Sequence, residues 1–132
     1  MHATAIYPIW ALCLLFGALG ACLASFLCAV AERVPAHRSI NGRSQCICGR
    51  QLKAYENIPI VSWCLLRGTS SCCKSPIPVY YVLAEALNAL AFALAVVVFA
   101  SSTPVMITFD VVACLVVLGV GLLRYRRRNP TT

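Results

Sequence analysis

Charged residues are scarce in this chain of 132 residues: they make up 11% of it, against 61% hydrophobic residues. An average soluble domain carries about 25% charged residues, so the composition excludes an ordinary soluble domain. Three apolar runs are long enough to cross a bilayer, which takes roughly 20 residues, and they lie at 7–31, 79–100 and 105–123. The sequence therefore predicts an all-α polytopic membrane protein with three transmembrane helices and a small irregular cytoplasmic loop domain that contains cysteines.

Lysine and arginine are missing from the first six residues and from the short turn at 101–104. All eleven of these basic residues lie either between positions 33 and 74 or between 124 and 128. Because basic residues stay on the cytoplasmic side of a membrane, we predict that the N-terminus is outside, the loop inside and the C-terminus cytoplasmic. The lack of positive charge before the first run also favours a retained helix over a cleaved signal peptide.

This topology divides the chain into four segments. They are a first transmembrane helix at 1–35, a cytoplasmic cysteine loop domain at 36–78, a transmembrane helical hairpin at 79–123 and a basic cytoplasmic tail at 124–132. The net charge of +7 is explained by the topology and by contact with anionic lipid headgroups. We therefore expect the lipid bilayer as a partner and no nucleic acid.

Nine cysteines are present, and four of them form two close pairs in the loop, namely Cys46, Cys48, Cys72 and Cys73. A structural zinc site takes four Cys or His ligands, usually in two close pairs, and cytoplasmic thiols stay reduced or bind metal. These four residues are the predicted metal ligands, with zinc as the cofactor. The pair spacings depart from the usual two-residue gap, since adjacent cysteines usually diverge. Free thiols, or a ligand set that includes Cys64 or His37, are the open alternatives.

The loop also contains glycines and prolines that predict turns, short strands and one short helix. A loop of some forty residues buries too little apolar surface to hold its fold without a metal ion, the membrane surface or a partner. The apolar segment 58–66 is too short to span the membrane, so we expect it to dock at the membrane interface or onto neighbouring helices.

In the first span, Gly17, Gly20 and Ala24 are spaced for close helix packing.

The loop has a recognisable order of elements. A cysteine pair precedes Asn-Ile-Pro-Ile-Val-Ser-Trp and Leu-Leu-Arg-Gly at 57–68, and a second pair, Pro-Ile and Tyr-x-x-x-Glu follow. Ser25-Phe26 and Arg33-Val34-Pro35 end the first span. Residues 17 to about 90 thereby resemble the N-terminal region of bacterial prepilin leader peptidases. These are bifunctional membrane aspartyl enzymes that cleave type IV prepilin leaders and often N-methylate the new terminus.

The resemblance implies several roles. In that family the cysteine loop binds zinc and has been associated with methyl transfer. Cys46, Cys48 and Cys73 fall on family cysteines if one residue is deleted in the first pair, while Ser70 falls on the fourth, so that Cys72 would replace it. The resemblance implies a location in the bacterial cytoplasmic (inner) membrane. The residues expected to contact a partner or substrate are Asn57, Pro59, Trp63, Arg67 and Glu85.

The peptidase half of the family pattern is missing from this sequence. An aspartyl protease needs two carboxylates that share a proton, but the chain has one aspartate, Asp110, and no Gly-x-Gly-Asp motif. No catalytic residue is therefore predicted. Asp110 is expected to be hydrated near the outer interface with help from Thr108, or else to contact a partner within the membrane. For Glu85, an ion pair with a loop Arg or Lys is favoured over a role as catalytic base.

Three hypotheses follow for function. The first is a prepilin-peptidase-related membrane protein that acts with a separate aspartyl peptidase subunit, or on the prepilin leader, in prepilin processing or in pilus or secretion assembly. The alternative is a zinc-stabilised membrane adaptor without enzymatic activity. The third is a stand-alone prepilin N-methyltransferase; because no glycine-rich nucleotide cradle is present, S-adenosylmethionine is not an expected cofactor.

Overall fold

The computed structural model describes residues 8–99 and 102–130, apart from the side chain of Pro59. The helices are α1 (Ile9–Arg33), α2 (Pro59–Leu65), α3 (Val79–Phe99) and α4 (Thr103–Arg128), and a 3₁₀ turn spans Ala54–Asn57. The described residues form no strand; their β pairing is limited to two isolated bridges, which join positions 45 and 51 and positions 69 and 76. The predicted all-α architecture with a cysteine-bearing loop is confirmed, while the short strands expected in the loop are reduced to these bridges.

Helices α1, α3 and α4 have 25, 21 and 26 residues, and they contain 18-residue stretches with mean hydropathies of 2.3, 2.3 and 2.5, respectively. At 1.5 Å per residue, each is long enough for a hydrocarbon core of about 30 Å. Large apolar side chains point outward along them, including Trp10, Leu14 and Leu87, which are 65%, 68% and 65% exposed. A soluble protein rarely leaves so much apolar surface uncovered, so a lipid bilayer surrounds these helices. The span ends predicted at Tyr7 and Ala100 lie outside the described residues.

Small residues set the packing of α1 against α3. A Cβ placed on Gly20 would lie only 2.6 Å from the backbone oxygen of Asn88 and 2.9 Å from Cγ of Phe92. The Asn88 side-chain amide donates a 2.8 Å hydrogen bond to the backbone oxygen of Gly20. The close approach predicted from the glycine and alanine spacing is therefore present, and an interhelical polar bond reinforces it.

Helix α4 completes the bundle and carries basic residues on its last turn. Pro104 lies in its first turn, where the missing N–H of proline costs nothing. A Cβ on Gly121 would lie 2.8 Å from Cβ of Ala31 in α1. The helix continues through Arg128, so that Arg126–128 lie near its carboxyl end, where positive charge is favourable.

Asp110 is buried, with 8% of its surface exposed, which differs from the hydrated position expected from the sequence. The reason is helical phase: Asp110, Cys114 and Gly121 are four and seven residues apart and share the face that packs on the bundle. Thr108 does not assist Asp110; its hydroxyl donates to the backbone oxygen of Pro104 at 2.8 Å. Oδ1 of Asp110 has no hydrogen-bond partner within the described part of the chain.

Candidate metal centre

The two cysteine pairs of the loop meet at one point. Sγ of Cys46 lies 3.5 Å from Sγ of Cys73, and Sγ of Cys48 lies 3.2 Å from Sγ of Cys72. All four sulfur atoms lie within 4.8 Å of one another. For a tetrahedral site with Zn–S bonds of about 2.3 Å, the sulfur atoms would be about 3.8 Å apart. The cluster therefore has both the donor atoms and the dimensions of a four-thiolate metal site.

A tight turn presents the first pair. The backbone N–H of Cys46 donates to the Arg50 oxygen and that of Gly49 donates to the Cys46 oxygen, both at 2.8 Å. Gly49 has φ +85°, a left-handed conformation that glycine adopts without steric cost. The single-residue gap between Cys46 and Cys48 thus still directs both sulfurs to the same side of the turn.

A second turn presents the adjacent cysteines, which were expected to diverge. Their sulfur atoms are 3.9 Å apart, so that expectation is wrong for Cys72 and Cys73. The turn is closed by the backbone N–H of Ser70, which donates to the Ser75 oxygen at 2.8 Å. The Ser70 hydroxyl accepts from the Ser75 N–H at 3.0 Å and lies 3.3 Å from Sγ of Cys73. Ser70 therefore stabilises the turn beside the cluster, and its hydroxyl lowers the pKa of Cys73.

Electrostatics within the cluster favour some thiolates and oppose others. Hydrogen bonds from Cys46, Arg50 and Cys48 lower the pKa of Cys72 to about 6. Two opposing effects act on the pKa of Cys48. The backbone N–H of Arg50 lowers it, but hydrogen bonds with Cys72 and the other thiols of the cluster raise it more, to about 11. A divalent metal ion would remove this opposition, because coordination deprotonates thiols outright.

A partly buried ionic network, which the sequence did not reveal, joins the two turns. Nη2 of Arg50 lies 2.7 Å from Oε1 of Glu56 and also donates to the Ser71 hydroxyl at 2.6 Å. The carboxylate of Glu56, which is 7% exposed, accepts from the Lys53 backbone N–H at 2.7 Å and from the Ser71 hydroxyl. The Lys53 N–H, Ser71 and Arg50 together lower the pKa of Glu56 to about 2. The network places Arg50 beside the first cysteine pair and Ser71 beside the second.

Glu85 connects the loop to the membrane helices. It is 2% exposed, and its Oε2 accepts a 3.0 Å hydrogen bond from the backbone N–H of Ile60, with the Ser25 side chain as a second partner. The predicted ion pair with a loop Arg or Lys does not occur among the described residues. The reason is that α2 begins with Pro59, so the Ile60 N–H is free of any helical partner and a carboxylate can cap it.

The remaining predicted contact residues occupy two kinds of position. Trp63 is half-buried and its ring lies against Gly68, where an added Cβ would be 3.1 Å from it. Its Nε1 has no hydrogen-bond partner in the described structure. Asn57 and Arg67 are exposed, and Asn57 borders an open cavity of about 810 Å³ between α1, the loop and the start of α3. Of Pro59, only the backbone at the start of α2 is described.

Residues 18–99, more than half of the chain, match the family described as Bacterial Peptidase A24 N-terminal domain. The chain belongs to this family. The A24 N-terminal match contains all four converging thiols, the ionic network and Glu85. The family and the three apolar helices together support a location in the bacterial inner membrane.

Similar curated proteins carry prepilin-processing names. The prepilin leader peptidase/N-methyltransferase of Myxococcus xanthus is 49% identical over 76 residues, which is 56% of this chain and 23% of that protein. The protein of the same name from Burkholderia pseudomallei is 35% identical over 78 residues, 58% of this chain and 25% of that protein. The type 4 prepilin-like proteins leader peptide-processing enzyme of Escherichia coli is 41% identical over 61 residues, 46% of this chain and 23% of that protein.

The similarity to these relatives is partial. The matched part of the chain spans about a quarter of their length. No solved structure matches the chain. The family match at 18–99 covers the larger part of α1, the cysteine loop and α3.

Proposed function

We propose that this chain is the N-terminal, metal-stabilised membrane module of a prepilin-processing peptidase, and that the aspartate pair for cleavage lies outside this sequence. One observation carries the proposal: four thiols converge in a loop that belongs to the peptidase family. The sequence contains a single aspartate, Asp110, which sits in α4 near the end of the bundle remote from the thiols. An acid pair must therefore come from another part of the machinery.

The metal in this proposal has a structural role. Zinc would be held by Cys46, Cys48, Cys72 and Cys73, which fill all four positions of a tetrahedral site. A closed site of this kind leaves no position for water and contributes to folding instead of catalysis. It would fix the two turns relative to each other, so that the loop presents one constant surface beside the membrane.

We assign partner or substrate contact to the exposed side of this loop. Asn57 and Arg67 are accessible, and the cavity of about 810 Å³ beside Asn57 is a candidate surface for the prepilin leader or a separate aspartyl peptidase subunit. Trp63 and Glu85 would act indirectly, through their contacts with Gly68 and with the Ile60 N–H. The distribution of basic residues supports a cytoplasmic position for the loop and the C-terminus, with the N-terminus outside.

Metal analysis of the full chain, purified in detergent, tests the first part of the proposal. We expect about one zinc per chain, because a tetrahedral four-thiolate site holds one ion. Cys46→Ser and Cys73→Ser should lose the zinc, whereas Cys64→Ser, an exposed loop cysteine outside the cluster, should retain it. Zinc well below one per chain, or equal loss in all three variants, would contradict a site at these thiols.

Native purification from membranes tests the second part. We expect a membrane protein with two aspartates to accompany this chain, and Asn57→Ala or Arg67→Ala to weaken the association without changing the zinc content. Recovery of this chain alone, with zinc bound, would instead favour the zinc-stabilised adaptor without enzymatic activity. The two measurements thereby separate the metal site from the processing role.

A further inference from the structure

A second cavity, separate from the thiol cluster, lies where the charged ends of α1 and α4 meet the start of α3. Its volume is about 270 Å³. Since a buried water needs on the order of 10–15 Å³, the cavity has room for a much larger polar group. The side chains that define its character are Arg38, Arg124, Arg128, Tyr80, Tyr125 and Glu32.

The charge in this cavity is predominantly positive. Three guanidinium groups face one carboxylate, and that carboxylate is already engaged: Glu32 lies 3.9 Å from Nη1 of Arg128 and accepts a hydrogen bond from the Tyr81 hydroxyl. Arg124 stacks on the ring of Tyr80, with its Cζ 4.4 Å from the ring centroid. The Arg38 side chain has no hydrogen bond or ion pair among the described residues. The cavity therefore retains donors for an anion.

Its position in the bundle narrows the choice of anion. The floor includes Cys28 and Gly121, which belong to the membrane-spanning parts of α1 and α4. Beside Gly121, Val120 and Leu123 are 42% and 58% exposed and would face lipid. The cavity thus opens where lipid-facing apolar surface changes to the charged end of the bundle, the level at which phospholipid headgroups lie.

We propose that this cavity binds the phosphate group of an anionic phospholipid. Guanidinium groups match phosphate oxygens geometrically, and basic pockets between transmembrane helices bind lipid headgroups. The tyrosines add aromatic rings at the depth where such rings are enriched. A lipid fits better than free phosphate, because its acyl chains would lie along the apolar surface of Val120 and Leu123.

Lipid titration of the purified full chain in neutral detergent tests the proposal, with binding read by native mass spectrometry. The probes are phosphatidylglycerol, zwitterionic phosphatidylcholine and inorganic phosphate. The test variant is R124Q/R128Q. The matched control is R126Q/R127Q, which removes the same charge from the same helical turn at residues that do not line the cavity. R38Q is a second test variant; it removes no hydrogen bond or ion pair found among the described residues, and it keeps the test valid if the double variant misfolds.

Phosphatidylglycerol should bind the unaltered chain in preference to phosphatidylcholine, and inorganic phosphate should not displace it. Each basic residue near an anionic headgroup is worth about fivefold in binding. R124Q/R128Q should therefore weaken binding by roughly 25-fold and R38Q by roughly fivefold, with a clearly smaller change in R126Q/R127Q. If both double variants lost phosphatidylglycerol binding to the same extent, the overall charge of the chain would explain the binding, and the proposal would be overturned. Displacement by inorganic phosphate would overturn it in favour of a free anion.

Discussion

Replacing Glu85 by alanine should weaken the attachment of α2 to α3. The Glu85 carboxylate accepts the Ile60 N–H at 3.0 Å and is itself 2% exposed. The substitution therefore removes a polar link between α2 and α3 while leaving the thiol cluster chemically intact.

The size of the effect follows from the group that loses its partner. A buried donor without an acceptor costs about 1–3 kcal/mol, and the Ile60 N–H is only partly buried, so about 2 kcal/mol is expected for Glu85→Ala. Since 1.4 kcal/mol is a factor of ten, amide exchange in α2 should accelerate by roughly 30-fold. Glu85→Gln keeps a carbonyl acceptor of the same shape and should change exchange by less than about fivefold.

Hydrogen exchange of the detergent-solubilised chain, read on peptides that cover 58–66, measures this effect. The control is Glu32→Ala, an exposed carboxylate at the same end of the bundle, which should leave α2 unchanged. Exchange in Glu85→Ala within about threefold of the unaltered chain would refute the link. So would an equal acceleration in Glu85→Gln, since that variant retains the acceptor.

Three further substitutions test the packing and the loop. Gly20→Ala should destabilise the pairing of α1 and α3 by about 1–3 kcal/mol, because its Cβ would meet the Asn88 oxygen at 2.6 Å; thermal unfolding in detergent measures this, and an unchanged midpoint would contradict the packing. Gly68→Ala should cost about 1–2 kcal/mol for its left-handed backbone alone, at φ +74° and 3.1 Å from Trp63; faster proteolysis of the loop is the readout, and unchanged cleavage would contradict it. Glu56→Gln should destabilise the loop most above pH 4.5, and its difference from the unaltered chain should shrink as the pH falls toward 2. The reason is that the pKa of Glu56 is lowered from 4.5 to about 2, so its contribution is lost as the pH falls through that range; pepsin cleavage at graded pH checks it, and a difference independent of pH would contradict it.

The sequence predicted the helices well because apolar run length is a local property. Three runs of sufficient length gave three spans, and glycine and alanine spacing indicated the face of α1 that packs on α3. The orientation of Asp110 was missed, although Asp110, Cys114 and Gly121 share one helical face. Its polarity suggested hydration, whereas the packing of the whole helix decided its burial.

The cysteine loop was harder to predict because its geometry depends on contacts between distant residues. The identity of the four thiols could be predicted from their pairing along the chain. Their convergence at Cys72 and Cys73 depends on a turn closed by Ser70 and Ser75, which pair spacing alone does not reveal. The partner of Glu85 was missed for a similar reason, since it is a backbone N–H that carries no side-chain signal.

The contact at Gly20 also has a consequence for biogenesis. Helices α1 and α3 pack against each other, yet 45 residues separate Arg33 from Val79. At about 5–20 residues per second, roughly 2–9 s of synthesis separates the two partners. During that interval the glycine-containing face of α1 lies in the membrane without α3. Any other transmembrane helix with small residues on its surface can pack against it. Correct assembly of this chain therefore depends on timing: α3 must be inserted before another helix binds the surface of α1 around Gly20.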